Sequence, residues 1–218
     1  MIISHGRQFI FVHIPKTGGT AMALALENRA MKDDILIGDT PKAKRRKHRL
    51  KDSQTRGRLW KHSTLADVEG LVSPDQMADY CVFTLVRNPW DRMVSYYHWL
   101  QTQTFAHPAV ALSQSVSFSA FLNHPQTVNS LRAHPTDSYV TDSGGTCHAD
   151  HYVRLEHWQN DLAPIWDHVG FRFDLPVANT SQRPRDYRGF YTDADAALIG
   201  EIAAADIKRS AYRFDPID

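Results

Sequence analysis

The chain is poor in features that would place it outside the class of compact soluble domains. It has two cysteines in 218 residues, Cys81 and Cys147, too few for a disulfide framework. Cys81 lies in an apolar run and reads as a small buried hydrophobe. No apolar stretch approaches the roughly 20 residues of a membrane span. Met1 to Arg7 lacks the basic-then-apolar pattern of a secretory signal. With few cysteines and no leader pattern, a chain complete as given is expected to be cytoplasmic. Net charge is only +1, so there is no strong overall field and no nucleic-acid partner is expected. Internal repeats and low-complexity tracts are absent.

What is present is ordinary globular composition, 42% hydrophobic and 22% charged, in a length that suits one domain over residues 1–218. Charge is uneven along it. Between Lys42 and Lys61 stand ten Lys/Arg and one acid, Asp52. Such a run is either a solvated segment or a wall that attracts a polyanion.

Hydrophobic patterning predicts alternating strands and helices. Gln8 to Ile14 is an apolar, β-branched and aromatic run that reads as a buried strand. Pro15-Lys-Thr-Gly-Gly19 turns the chain, and Thr20 to Met31 reads as a helix. Ile35 to Ile37 is a possible second strand. Ser63-Thr64 is placed to cap a helix running to Val72, and Ser73-Pro-Asp-Gln76 reads as a capping box with proline at the first helical position. Tyr80 to Val86 is the clearest buried strand, and Asn88-Pro89 starts a helix to about Gln103. Residues 104–150 read as a loop-rich insertion of the kind that often carries function, with one short helix around Phe118 to Leu122. A strand at Tyr152 to Leu155, a helix at His157 to His168 and a helix opening at Thr192-Asp-Ala-Asp195 complete an α/β pattern.

Two motifs carry chemistry. In His13-Ile-Pro-Lys-Thr-Gly-Gly-Thr20, two glycines let backbone amides approach a ligand at the start of a helix, where an anion is favoured. Lys16 adds a full charge; Thr17 and Thr20 add hydroxyls, and Gly18 and Gly19 the close approach. This is not the ATP-binding Walker loop, whose lysine follows the second glycine. In Val86-Arg-Asn-Pro-Trp-Asp-Arg-Met-Val-Ser-Tyr97, Arg87 ends a strand where α/β proteins place ligands. Its guanidinium suits a phosphate, with Ser95 two helical turns on. Equally, Arg87 is placed to pair with a neighbouring acid. Two anion sites on successive units suit a ligand with separated phosphates.

At these residues the sequence resembles the sulfotransferases that use 3′-phosphoadenosine 5′-phosphosulfate (PAPS). The likeness is greatest to the carbohydrate group that includes heparan sulfate 2-O-sulfotransferase and its bacterial relatives. The family's 5′-phosphosulfate loop matches Pro15 to Thr20, and its 3′-phosphate motif matches Arg87-Asn-Pro-Trp-Asp-Arg and Ser95. Weaker matches continue at Arg154-Leu-Glu156 with Asp161, at Asn179-Thr-Ser181, and from Tyr191 through Asp206-Ile to Tyr212-Arg-Phe214. The resemblance implies a P-loop-like three-layer α/β fold with a central, mostly parallel sheet flanked by helices. It implies PAPS as donor, 3′-phosphoadenosine 5′-phosphate (PAP) as product, no metal, and an acceptor hydroxyl on a carbohydrate. Related enzymes carry a histidine base between the two motifs; His62 matches it in order, with Asp39 as rival. Arg183 and Arg185 belong to a loop that closes over the cofactor in related enzymes, and their roles stay open. The alternative function is a non-catalytic PAP- or nucleotide-binding module.

Overall fold

The computed structural model describes residues 1–178 and 183–215. The strands are β1 (Ile2–Ser4), β2 (Phe9–Val12), β3 (Ile35–Leu36), β4 (Cys81–Val86) and β5 (His151–Arg154). The α-helices are, in chain order, α1 (Gly19–Glu27), α2 (Pro41–Arg46), α3 (Pro74–Asp79), α4 (Pro89–Gln101), α5 (Pro108–Ser115), α6 (Phe118–Asn123), α7 (Pro125–Ala133) and α8 (Thr136–Tyr139). They continue with α9 (Trp158–Asp161), α10 (Ala163–Val169), α11 (Asp193–Ile202) and α12 (Ala204–Ser210). The chain divides into two compact units, one of Met1–Val86 with Thr136–Asn179, the other of Arg87–Pro135 with Thr180–Asp218.

The first unit holds a sheet of order β3-β1-β2-β4-β5. β2 pairs in parallel with β4, and β4 with β5, whereas β1 pairs antiparallel with both β2 and β3. The mostly parallel reading therefore describes only the β2-β4-β5 part. The remainder is a hairpin that sequence reading missed: only four residues separate β1 from β2, and so short a connection forces antiparallel pairing. Ile2 and Ile3 of β1 are core, 2% and 0% exposed.

Both faces of this sheet are covered, which is why β2 and β4 read as continuous apolar runs rather than alternating ones. Phe9, Phe11, Phe83 and Leu85 face one cluster with Met22 and Leu26 of α1 and Ile165 of α10. Ile10, Val12 and Val82 face another with Leu65, Val68, Met77 and Tyr139. Thr84 is fully buried without penalty because its hydroxyl donates to the Val12 carbonyl at 2.8 Å.

Helix boundaries follow local chemistry. α3 carries the full reciprocal capping box of Ser73 and Gln76. The expected helix to Val72 shrinks to a 3-10 turn, Ala66–Val68, opened by reciprocal bonds between Thr64 and Asp67. Gly70, at φ +100, turns the chain aside where a Cβ would lie 2.2 Å from the Gln54 carbonyl oxygen. The helix expected from His157 to His168 breaks into α9 and α10, with proline in the first turn of α10, since Pro164 has no N–H to continue the ladder.

The basic segment is ordered. Thr40 caps α2 and its hydroxyl donates to both Glu27 carboxylate oxygens, at 2.6 and 2.8 Å. Lys42 donates to the Glu27 carbonyl. Arg46 donates to the Met31 and Asp34 carbonyls at 2.8 and 3.1 Å, and Arg49 to the Lys32 carbonyl at 2.6 Å. Three cations of the run thus satisfy carbonyls at and beyond the end of α1. The helix escaped sequence reading because α2 buries one side chain, Ala43, and so shows no apolar periodicity.

The second unit is helical. Asn88 caps α4, its side chain accepting from the Trp90 and Asp91 amides. Trp90 Nε1 donates to the Ala196 carbonyl of α11 at 2.9 Å. Tyr97 packs edge to face on Phe118 and tilted against Phe121. The stretch expected to be loop-rich holds α5, α6 and α7 in this unit, started by His107, Ser117 and His124 caps and by prolines at 108 and 125, and α8 in the first unit. These helices are too short for sequence periodicity to emerge. α11 opens on the Thr192–Asp195 capping box, and Ala203 separates it from α12.

Candidate functional site

In the first unit the loop after β2 is shaped residue by residue. Lys16 sits at φ +66 and Gly18 at φ +88. Left-handed backbone is natural for glycine and costly for lysine. A Cβ on Gly18 would meet Leu155 Cδ1 at 2.6 Å, and one on Gly19 would meet the His13 ring at 1.9 Å. Each glycine therefore has its own reason: Gly18 for its dihedral, Gly19 because an imidazole lies against its Cα. The Thr17 hydroxyl is buried and donates to the Ile14 carbonyl at 3.0 Å. That bond closes the loop, so Thr17 holds the backbone of the turn in place. α1 begins at Gly19; the Ala21 and Met22 amides donate to the Gly18 carbonyl at 3.0 and 3.3 Å, and the Gly19 and Thr20 amides precede the intrahelical ladder.

Gly19→Ala is expected to lower stability by roughly 1–3 kcal/mol through overpacking. The His13 ring cannot retreat readily, being wedged against Phe11 and His62 at centroid distances of 6.1 and 4.6 Å. A thermal midpoint equal to wild type would show that the ring does move.

His13 packs just after β2; burial first, then the N-terminal amine and His62, lower its pKa well below the usual histidine value. His62 lies in a tight turn closed by the Ser63 amide donating to the Trp60 carbonyl at 3.0 Å. Ser63 is fully buried, and its hydroxyl donates to the Arg58 and Trp60 carbonyls while accepting from the Trp60 amide. His62 Nδ1 is 2.8 Å from the His13 backbone oxygen. A carbonyl oxygen can only accept, so Nδ1 carries the proton and Nε2 of the neutral ring presents a lone pair. Burial pushes the His62 pKa down to about 4; the His13 bond acts upward and Lys61 downward. At neutral pH the ring is unprotonated and its tautomer is set.

Asp39, the rival, accepts from Lys61 Nζ at 2.7 Å. Burial pushes its carboxyl up, but the bond and charge of Lys61 outweigh burial and hold it below the usual range. Both groups are unprotonated at pH 7. They differ in what an arriving proton does: at Asp39 it breaks the Lys61 pair, whereas at His62 it creates a cation still held by the His13 carbonyl.

In the second unit Arg87 directly follows the end of β4. Its Nε and Nη2 both donate to Asp91 Oδ2, at 2.7 and 2.6 Å. Arg183 donates to the other Asp91 oxygen. Two guanidiniums on one carboxylate leave a net positive charge. Arg183 is the residue the sequence left open. Its side chain is 6% exposed, and its buried Nε has no hydrogen-bond partner among the described residues. An unmet buried donor on a cation is costly unless an acceptor arrives. Ser95, 5% exposed, stands one turn beyond Asp91 on α4. Arg185 is exposed. Sequence could not tell Arg183 from Arg185 because nothing local signals burial of an arginine in a loop. Of the weaker matches, Asn179 to Ser181 lie outside the described residues. Arg154 and Asp161 form a forked pair at 2.8 Å, an internal brace between β5 and α9.

Among the described residues no helix is long and apolar enough to cross a membrane. No curated protein matches the chain significantly. Among solved structures, mouse sulfotransferase SULT7A1 complexed with PAP aligns at 14% identity and a TM-score of 0.48, over 93% of this chain and 84% of that one. The sulfotransferase family model matches residues 1–161. A glycine-bearing loop after β2, a histidine of set tautomer and two arginines on Asp91 thus sit in a chain whose greater part fits one family: the chain belongs to the sulfotransferase family and is a sulfotransferase enzyme.

Proposed function

We propose that the enzyme transfers a sulfuryl group from PAPS to a hydroxyl of a carbohydrate acceptor, in the manner of the heparan sulfate 2-O-sulfotransferase-like group. The loop Lys16 to Thr20 receives the 5′-phosphosulfate through backbone amides, the Lys16 ammonium and the Thr20 hydroxyl. Arg87 and Ser95 receive the 3′-phosphate, with Arg183 as a further donor. His62 Nε2 takes the acceptor proton while the acceptor oxygen bonds to sulfur. The sulfur–oxygen bond to the phosphate breaks in line, and PAP leaves with the electron pair. The observation that carries this reading is His62 itself: a neutral imidazole with a directed lone pair, anchored to His13, whose ring lies on the glycine that opens α1.

The fit of the 3′-phosphate to the second unit rests on the Arg183 Nε, which the described residues leave without an acceptor. It also explains why Arg87 is paired with Asp91: the carboxylate holds the fork in place, and the second arginine keeps the cluster cationic.

Arg87→Ala is expected to weaken PAP by at least about tenfold, since a charged hydrogen bond is worth roughly 1.5–3 kcal/mol. AMP, which lacks the 3′-phosphate, should change little. Calorimetric titration with both nucleotides, with and without EDTA, reads this. Equal losses for PAP and AMP would make Arg87 a structural residue, and binding that requires magnesium would remove the PAPS assignment.

A further inference from the structure

Trp60 is 48% exposed, yet it stands on a turn closed by backbone and side-chain hydrogen bonds. Lone surface hydrophobes are common and need no explanation, but this one has two particular neighbours. Its ring meets the His62 ring edge to face, with centroids 5.0 Å apart and planes at 86°. Its backbone is held on both sides by the fully buried Ser63 hydroxyl, which accepts from the Trp60 amide and donates to the Trp60 carbonyl, both at 2.9 Å. The turn therefore offers a large flat apolar face whose ordering entropy is already spent in the fold.

We infer that Trp60 is the acceptor platform, stacking the carbon-hydrogen face of an anionic sugar ring whose hydroxyl is presented to His62. The inference rests on His62 as base, as proposed above. A hydroxyl that reaches the imidazole brings the ring carrying it within a few ångströms of the indole, because the two side chains are neighbours on one turn. A six-membered sugar ring has one face of axial hydrogens and suits an exposed indole, whereas a flexible alkyl alcohol does not need one. The charge around the turn selects the kind of sugar. Arg56 and Arg58 just before it are exposed. Arg56 has Glu69 at 3.7 Å, while Arg58 has no carboxylate partner among the described residues. Lys44, Arg45, Lys47 and Lys51 are likewise exposed. Lys42, Arg46 and Arg49 are spent on carbonyls at and beyond the end of α1, and Lys61 on Asp39. The cations left over favour carboxylated or sulfated sugars over neutral ones.

The test measures binding without turnover, by ligand-observed NMR and calorimetry on wild type, Trp60→Ala and Trp60→Tyr. The probes are a uronic-acid-containing oligosaccharide, a neutral glucan oligosaccharide of equal length, and 4-nitrophenol. Wild type should bind the acidic oligosaccharide in preference to the neutral one. Trp60→Ala should lose on the order of tenfold or more of that affinity, since half an indole surface is uncovered. Trp60→Tyr should recover most of it. Unchanged affinity in Trp60→Ala would overturn the platform. Trp60-dependent binding of 4-nitrophenol without the oligosaccharide, or equal binding of both oligosaccharides, would overturn the anionic sugar. PAP titrated into the same samples decides the donor assignment independently, since Trp60 is no part of the proposed nucleotide site.

Discussion

His62→Ala is expected to lose on the order of 10²–10⁴-fold in turnover, the usual contribution of a general base, with PAP affinity nearly unchanged. The pH profile of the wild type gives a second readout. The base works unprotonated, and burial has pushed its pKa down to about 4. The kcat/KM of the free enzyme should therefore stay level as pH falls through 6.5, the ordinary histidine value, and drop only as it approaches about 4. In His62→Ala that limb should vanish, and the remaining slow rate should no longer follow it. Asp39→Asn is the control: it removes the Lys61 pair, and its effect should be small beside that of His62→Ala. If Asp39→Asn abolishes turnover while His62→Ala keeps most of it, Asp39 is the base and the His13–His62 bond is only a brace. A limb near 6.5 would show that His62 is not held as the structure has it. A base with so low a pKa is weak in the free enzyme, and this has a physical remedy. A departing phosphate anion stabilises imidazolium, so the proton is accepted most readily when charge develops nearby.

Lys16→Gly is expected to lose about 10²–10³-fold in turnover at saturating donor, the size typical of removing one preorganised donor to a developing anion. Glycine is the informative replacement because Lys16 holds φ +66. A left-handed non-glycine residue stores strain of order 1–3 kcal/mol, and glycine relieves it at an entropic cost of roughly 0.5–1 kcal/mol. The thermal midpoint should hold or rise while turnover collapses. That opposition separates chemistry from architecture: a merely structural lysine would leave turnover near normal once strain is relieved. PAP affinity should fall far less than turnover, because charge on the bridging oxygen is greatest as the bond to sulfur breaks.

Much of this protein was legible in the linear chain because its signals are local. The buried strand before Pro15 and the one before Arg87 announce themselves by apolar, β-branched runs, and both appear at β2 and β4. Ser73 with Gln76, Thr192 with Asp195 and Asn88 with Pro89 act where their spacing placed them, since a cap needs only a side chain and amides three residues away. The glycine pair after Lys16 was legible as a turn for the same reason.

Tertiary structure decided what depends on residues far apart. The antiparallel β1 was invisible because three residues carry no period. The order in the basic run comes from carbonyls of α1 and the segment after it, at least 12 residues away, which no local pattern encodes. Thr17 clasps the loop because folding brings the Ile14 carbonyl within reach of its hydroxyl. Arg183 became part of the arginine cluster only through Asp91, 92 residues earlier. The character of His62 was also settled in three dimensions. The chain names an imidazole, but a bond to His13, 49 positions away, sets its tautomer, and burial sets its charge. Sequence determines which groups are available; their protonation and direction depend on the neighbours that folding supplies.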